Sequence, residues 1–389
     1  MLVITSLVIL LMILLIIGAI ESYLHSYYLN KIPIRIHVNG ARGKSSVTRL
    51  IASGLRESGK KVFAKTTGSS PRIINEKGQD IAIHRLRSAS IGEQVRLIRN
   101  FSKQNIDILI IECMAVQPQY QWISEQKMVQ SSVGVITNVR PDHLDEMGYT
   151  MNDIASSLSN GIPSNGTLVV HNDRFYNLFQ NIALNRKTEI KKVDSGVVDE
   201  SYMKKFNYFE HQDNVELSLS VCKHLGMDEK TALKGMLKNK PDPGALFIWE
   251  TKIKKGIIFF ISAFAANDPQ STFDICSKVS NRHKGLKRCI FLNTRSDRQY
   301  RTHQLLSLVY DKIVPEKLII RGSKLDSIIN NYDFKSKGIE VVQFDEDSKP
   351  EIIIDEIGNL NQYLVFGIGN IVGWGDKFVQ KMKEFKISD

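Results

Sequence analysis

The sequence predicts an α/β protein: two units built on mostly parallel sheets, the second Rossmann-like, behind a single N-terminal transmembrane helix. Three observations carry that expectation. Between residues 34 and 366, short apolar runs alternate with helical patterns, as they do when helices cover the faces of a parallel sheet. The cluster Pro241-Asp242-Pro243-Gly244 forces the chain to turn and reads as a boundary. Residues 2–20 carry no charge, and only Thr5, Ser6 and Gly18 interrupt an apolar run about long enough to cross a bilayer. The expected layout is an anchor over 1–24, a first unit over 33–244 and a second over 245–389.

Each element has its own signal. The anchor begins without a Lys or Arg, so it reads as uncleaved rather than as a signal peptide. The first positive charges, Lys31, Arg35, Arg42 and Lys44, follow it and predict an outside N-terminus with a cytoplasmic body. A buried core helix is the weaker alternative, because such a helix would normally show a polar face. Apolar runs at 34–38, 106–112, 133–139 and 167–170 read as strands of the first unit. Those at 256–261, 288–292, 317–320, 339–344 and 363–366 read as strands of the second. Helical patterns fall at 45–58, ended by Gly59, and at 214–225, 229–237, 270–279 and 372–385.

Composition narrows the class without choosing a function. With 42% hydrophobic and 24% charged residues, the chain is globular rather than disordered. A formal charge of +11 admits anionic partners, or simply a solvated basic surface. Cys113, Cys222, Cys276 and Cys289 are scattered, with no CxxC pairing. They argue for reduced thiols rather than a zinc site or a disulfide framework, and Cys113 is expected to pack as a small apolar residue.

The sharpest chemical signal is Asn39-Gly40-Ala41-Arg42-Gly43-Lys44-Ser45-Ser46, directly after a strand and opening a helix. Backbone N–H groups there can cradle phosphate oxygens, Lys44 can reach the outer phosphates, and Ser45 can ligate Mg²⁺. The loop is a shortened GxxGKS, since Val38 stands where the longer pattern needs its first Gly. A phosphate loop needs an acidic partner for its metal, and the strand 108–112 ends in Glu112. Another strand runs into Asn138-Val139-Arg140-Pro141-Asp142-His143-Leu144-Asp145, which sets amide, carboxylate and imidazole groups on one loop. In the second unit, Asn267-Asp268-Pro269, then Asn293 to Arg298 with Arg301, and Gly367-Ile368-Gly369-Asn370 each follow a strand. Arg295, Arg298 and Arg301 suit carboxylates or phosphates, although a solvated surface would look the same.

Taken together these motifs resemble the Mur ligase superfamily, and within it the Mur-ligase-like subunits of poly-γ-glutamate synthases (the PgsB/CapB type). The shared phrases are NGARGKSSVTRL, KTTG, IGEQ, IECMAVQPQYQ, GVITNVRPDHLDEMG, PDPGA, FAANDPQST, RSDRQYRT and FGIGN, spread from Asn39 to Asn370. The resemblance implies an ADP-forming amide ligase that activates the γ-carboxylate of glutamate as an acyl phosphate, with ATP and Mg²⁺ as cofactors. It implies nucleotide contacts from Asn39, Gly40, Arg42, Gly43, Lys44, Ser45, Ser46, Asn138 and Asp268, with Asp297, Arg298 and Arg301 as weaker ones. Metal contacts would come from Ser45, Glu112 and His143, and catalytic roles fall to Lys44, Glu112 and His143. Expected partners are glutamate, the growing polymer and small membrane subunits of an export complex, with no nucleic acid.

Four departures from the wider superfamily are expected to matter. The membrane helix takes the place of a UDP-sugar-binding domain. Ala245 follows the hinge where many relatives have Arg, Gln270 stands where some have Lys, and no Lys lies between His143 and Asn160 to act as a modified metal ligand. Three rival readings are a folylpolyglutamate synthase-like ligase, a membrane-attached P-loop ATPase regulator, and a non-enzymatic scaffold with a degenerate nucleotide site, against which the intact Gly43-Lys44-Ser45 and Glu112 count.

Overall fold

A computed structural model describes residues 2–68, 71–83, 90–203, 205–206, 208, 210–241, 246–254, 256–264, 266, 269–296 and 299–387. The chain divides into two compact units. One comprises Met1–Lys205 with Glu210–Lys240; the other comprises Phe206–Phe209 with Pro241–Asp389.

The first unit is an eight-stranded sheet. Its strands are β1 (Ile34–Asn39), β2 (Val62–Thr66), β3 (Arg72–Ile74), β4 (Asp80–Ala82), β5 (Ile108–Glu112), β6 (Val133–Ile136), β7 (Thr167–His171) and β8 (Glu189–Val193). Their order is β4-β3-β2-β5-β1-β6-β7-β8. The six strands from β2 to β8 run parallel, and only the short β3 and β4 pair antiparallel. β5 up to Glu112 and all of β6 are apolar because they lie at the centre, covered on both faces, while β1 alternates Ile34, Ile36 and Val38 with Arg35, His37 and Asn39. Register then places the chemistry: Val38 lies beside Glu112, and Asn39 beside Ile136. The carboxyl ends of β1, β5 and β6 therefore open on one edge, where ligands collect in open α/β sheets.

The second unit carries a six-stranded sheet of β9 (Phe247–Ile253), β10 (Gly256–Ser262), β11 (Lys287–Asn293), β12 (Lys317–Gly322), β13 (Glu340–Asp345) and β14 (Tyr363–Gly369). The order is β13-β12-β11-β14-β10-β9, parallel except for the β9–β10 hairpin. Two apolar clusters cover it, one gathered around Phe366 and Leu306, the other around Phe291, Phe378 and Trp249.

The expected fold class holds, and every strand and helix singled out in the sequence is present, within a few residues at the ends. Others are additional. β8 (Glu-Ile-Lys-Lys-Val) is a polar edge strand, β3 and β4 are three residues long, and β2 carries a lysine. None of these has the apolar run that marks a central strand.

The N-terminal helix spans Leu2–Asn30, extending beyond the 1–24 expected for the anchor. It is long and apolar enough to cross a membrane, and the apolar side chains along it are exposed. Its last turn enters the first unit, where Leu29 packs with Ile32, Phe63, Leu97 and Phe101. Arg35 fixes that junction by donating to the carbonyls of Leu29 (3.1 Å) and Ile32 (2.8 Å), and also to those of Val129 and Gln130. A cation suits a helix C-terminus, whose last carbonyls have no partner within the helix. All four cysteines are buried and unpaired. Burial pushes the Cys222 and Cys276 thiols up to about 12, in keeping with structural roles.

Candidate active site

The loop after β1 is shaped by two glycines. Gly40 has φ +131° and Gly43 has φ +81°, conformations that L side chains rarely adopt. Space also excludes a side chain at either position. A Cβ on Gly40 would sit 2.1 Å from Thr137 Oγ1 and 2.8 Å from the Thr137 amide nitrogen. One on Gly43 would sit 2.6 Å from Asn214 Oδ1. Gly43 caps the helix Lys44–Arg56, whose first turn contains Ser45 and Ser46. Unpaired amides and the positive end of the helix dipole are therefore directed at the loop, an arrangement that binds phosphate.

Neighbouring strands hold the loop in this form. Asn138 accepts from the Arg42 amide (3.1 Å) and donates to the Arg42 carbonyl (3.0 Å), and Thr137 Oγ1 donates to that same carbonyl (2.6 Å). Asn39 is buried. Its amide nitrogen donates to Gln121 Oε1 (2.8 Å), and its oxygen accepts from the Gly40 amide (2.9 Å). Both Asn39 and Asn138 thus spend their side chains holding the loop. Lys44 Nζ rests on the Gly40 and Ala41 carbonyls of its own loop, at 2.7 and 3.0 Å.

Glu112, only 3% exposed, closes the site from β5. Its Oε2 accepts from Ser45 Oγ (2.8 Å) and from the Thr67 amide (2.7 Å). A hydroxyl and a carboxylate as adjacent ligands of octahedral Mg²⁺, each at about 2.1 Å, stand roughly 3.0 Å apart. The Ser45–Glu112 pair already has that spacing and the hard-oxygen chemistry, so these residues fit a divalent cation. Directly behind, Lys65 is fully buried and pairs with Glu93 (3.0 Å), tying the KTTG strand to the helix Glu93–Ser102.

The His143 loop approaches through Asp142, whose carboxylate lies 3.4 Å from Arg42 Nη2. His143 itself is half exposed, with φ +46°, and its ring nitrogens lie 3.9 Å from Asp142 and Glu146. The structure thus gathers Asn39, Gly40, Arg42, Gly43, Lys44, Ser45, Ser46, Glu112 and Asn138 at one sheet edge. It leaves His143 on the flanking loop.

Arg301 belongs to the second unit. With Asn293, Thr294, Arg295 and Asn370 it lines a cavity of about 20 Å³ at the ends of β11 and β14. Asp268, Asp297 and Arg298, like the hinge residues from Asp242 to Ala245, lie outside the described residues. Thr67, Gln121, Thr137 and Asn214 were not singled out from the sequence, nor was Arg321. Thr67, Gln121 and Thr137 do fall inside the quoted KTTG, IECMAVQPQYQ and GVITNVRPDHLDEMG phrases, so a signal was present. Arg321 donates to Asn293 Oδ1 (2.9 Å) and lies over the Trp374 ring at 4.0 Å; its isolated position carried no pattern.

Residues 38–239 match the Mur ligase middle domain, and residues 248–385 match the poly-gamma-glutamate synthase CapB C-terminal domain. The chain is 37% identical over 381 residues to the capsule biosynthesis protein CapB of Bacillus anthracis, covering 96% of this chain and 82% of that one. It is 34% identical over 379 residues to the PGA synthase CapB of Bacillus subtilis (strain 168), covering 96% of each. Among solved structures, E. coli FolC in complex with DHPP and ADP superposes with a TM-score of 0.67 at 14% identity, covering 94% and 92% of the two chains. The UDP-N-acetylmuramoylalanyl-D-glutamyl-2,6-diaminopimelate–D-alanyl-D-alanyl ligase of Acinetobacter baumannii gives 0.63 at 14%, covering 94% and 79%. At such identities the two structures show a shared fold, whereas the CapB proteins show kinship along the whole chain: it belongs to the CapB family of poly-γ-glutamate synthases within the Mur ligases, and is an ATP-dependent amide ligase.

Proposed function

We propose that this chain polymerises glutamate through γ-carboxyl amide bonds, spending ATP to ADP and phosphate through an acyl phosphate. The observation that carries the reading is the Ser45–Glu112 pair beside the Gly40–Gly43 loop, a phosphate cradle with hard-oxygen metal ligands at the right spacing. In this reading, the amides of the helix opening at Lys44 and the Lys44 ammonium neutralise the phosphoryl group as it moves to the carboxylate. Ser45 and Glu112 would hold a divalent cation, Mg²⁺ in the cell, with His143 as a further ligand from the flanking loop. When bound, that cation would supply charge neutralisation for the phosphates. Asn39 and Asn138 keep the loop in its phosphate-binding form. A Yersinia pestis folylpolyglutamate synthase/dihydrofolate synthase of the same fold is complexed with AMPPNP and a Mn ion, which supports the nucleotide and metal assignments.

Asp268, Asp297, Arg298 and Arg301 would contribute nucleotide or substrate contacts from the second unit. The N-terminal helix would anchor the enzyme in the membrane with its body in the cytoplasm, where a basic protein meets its polyanionic product. Export then calls for partner membrane subunits, because one helix forms no channel. A folate substrate is the weaker reading, since the relatives matched along the whole chain are capsule and PGA synthases.

The test is nucleotide turnover in membranes containing this chain and its partner subunits, with and without glutamate and Mg²⁺. Glutamate-dependent release of ADP and phosphate, together with an anionic amide polymer and loss of both in Lys44→Ala, supports the proposal. AMP and pyrophosphate would overturn the acyl-phosphate route. Glutamate-independent ADP release would favour an ATPase regulator.

A further inference from the structure

A second polar cluster lies where β7 ends against the helix Gln212–His224. His171 Nε2 stands 3.1 Å from the Asp213 carbonyl oxygen. A carbonyl only accepts, so the ring donates from Nε2, and in the neutral imidazole the lone pair then lies on Nδ1. That Nδ1 is buried and has no hydrogen-bond partner among the described residues. Glu216, 2% exposed, is oriented with equal definition: its Oε1 accepts from the Gly196 amide (2.9 Å), the Val198 amide (3.2 Å) and Gln212 Nε2 (3.0 Å). Its Oε2 is buried and also lacks a partner. A ring nitrogen of His171, a carboxylate oxygen of Glu216 and one of Asp213 lie within 4.8 Å of one another.

Two buried acceptors without a donor are costly to leave unsatisfied. A cation resolves the conflict, and the surroundings are those of ligands prepared for one. The histidine's other nitrogen is fixed by a carbonyl, and the carboxylate's other oxygen is fixed by three N–H groups. We propose that His171, Asp213 and Glu216 bind a divalent transition-metal ion of the zinc class, at a site separate from the Ser45–Glu112 pair. One imidazole and two carboxylates suit that class better than Mg²⁺, which prefers all-oxygen shells. Ligands at about 2.0–2.2 Å stand roughly 3.3–3.5 Å apart in a tetrahedral site. The exposed Asp213 side chain closes the remaining distance by rotating inward, and a water completes the shell.

The position gives the ion a task. It would clamp the end of β7 and the loop after β8 to the first turns of the helix Gln212–His224. Asn214 on that helix is the residue against which Gly43 of the phosphate loop packs. The metal thus braces the rear wall of the nucleotide cradle rather than entering the chemistry.

The full chain, solubilised in detergent and stripped with chelator, is titrated with Zn²⁺ in a Glu112→Gln background that silences the Ser45–Glu112 pair. One ion bound per chain and a rise in Tm are expected. Glu216→Gln keeps the Oε1 acceptor and the shape of the side chain, so it folds but loses both the ion and the Tm rise. Asp213→Asn, at the surface, weakens zinc binding at least tenfold. The proposal is overturned if the Glu112→Gln protein binds no zinc, or if Glu216→Gln binds it as tightly as its parent.

Discussion

Replacing Gly40 with Ala tests whether the phosphate loop is held by shape rather than by composition. At φ +131° the alanine is strained whatever the space, and its Cβ meets Thr137 at 2.1 and 2.8 Å. Thr137 cannot step aside freely, because its amide donates to Asn39 O (2.9 Å) and its hydroxyl to Arg42 O (2.6 Å). Strain of about 1–3 kcal/mol and two hydrogen bonds of about 1 kcal/mol each sum to roughly 3–5 kcal/mol. That lies within the ~5–15 kcal/mol stability of a domain, so the variant folds and relieves the strain by moving the loop. Shifting some 3 kcal/mol onto binding lowers nucleotide affinity by about a hundredfold. The assay is titration with a fluorescent ATP analogue alongside thermal melting. Gly59→Ala is the control: its φ is +80°, but nothing lies within 4 Å of its Cβ, so it costs about 1–2 kcal/mol of backbone strain and leaves affinity unchanged. If Gly40→Ala binds nucleotide within about threefold of wild type, the argument from loop shape fails.

Glu112→Ala is expected to abolish ligation while the protein still inserts into membranes, measured by polymer formation and carbonate-resistant pelleting; retained activity would remove Glu112 from the metal site. Arg35→Ala strands the Leu29 and Ile32 carbonyls and should cost about 2–4 kcal/mol, several charge-assisted hydrogen bonds being lost together; limited proteolysis should then cut near Lys31 faster than in wild type. His37 is buried with Nδ1 2.7 Å from Glu125 Oε2. Burial lowers its pKa, but Cys113 and Glu125 outweigh that and raise it to about 10 from the ordinary 6.5. The folded state therefore holds a proton that the unfolded chain has released. The stability contributed is complete below about pH 6.5 and is lost as pH rises toward and through 10. Tm should fall over that interval in wild type and fall less steeply in His37→Gln; equal slopes would show that His37 carries no such proton.

The sequence by itself determined the alternating α/β plan, the long apolar N-terminal helix and the glycine-bearing loop after β1, because each rests on local pattern. A central parallel strand such as Ile108–Glu112 must be apolar on both faces, and a phosphate loop must carry glycines where side chains cannot fit. Polar edge strands such as Glu189–Val193 were not legible, since one open face and a short length leave no run to read. Only the tertiary structure decided what touches what. Glu112 meets Ser45 across 67 residues because β1 and β5 pair in one register, and Thr67 meets it because β2 pairs beside β5. Asn39 and Asn138 look like ligand-binding amides in sequence, yet the fold turns both into braces for the loop. The convergence of His171, Asp213 and Glu216 was likewise hidden, since His171 and Asp213 stand 42 positions apart in the chain. Such contacts depend on register and on which lone pairs remain unpaired after folding, and no local spacing encodes either.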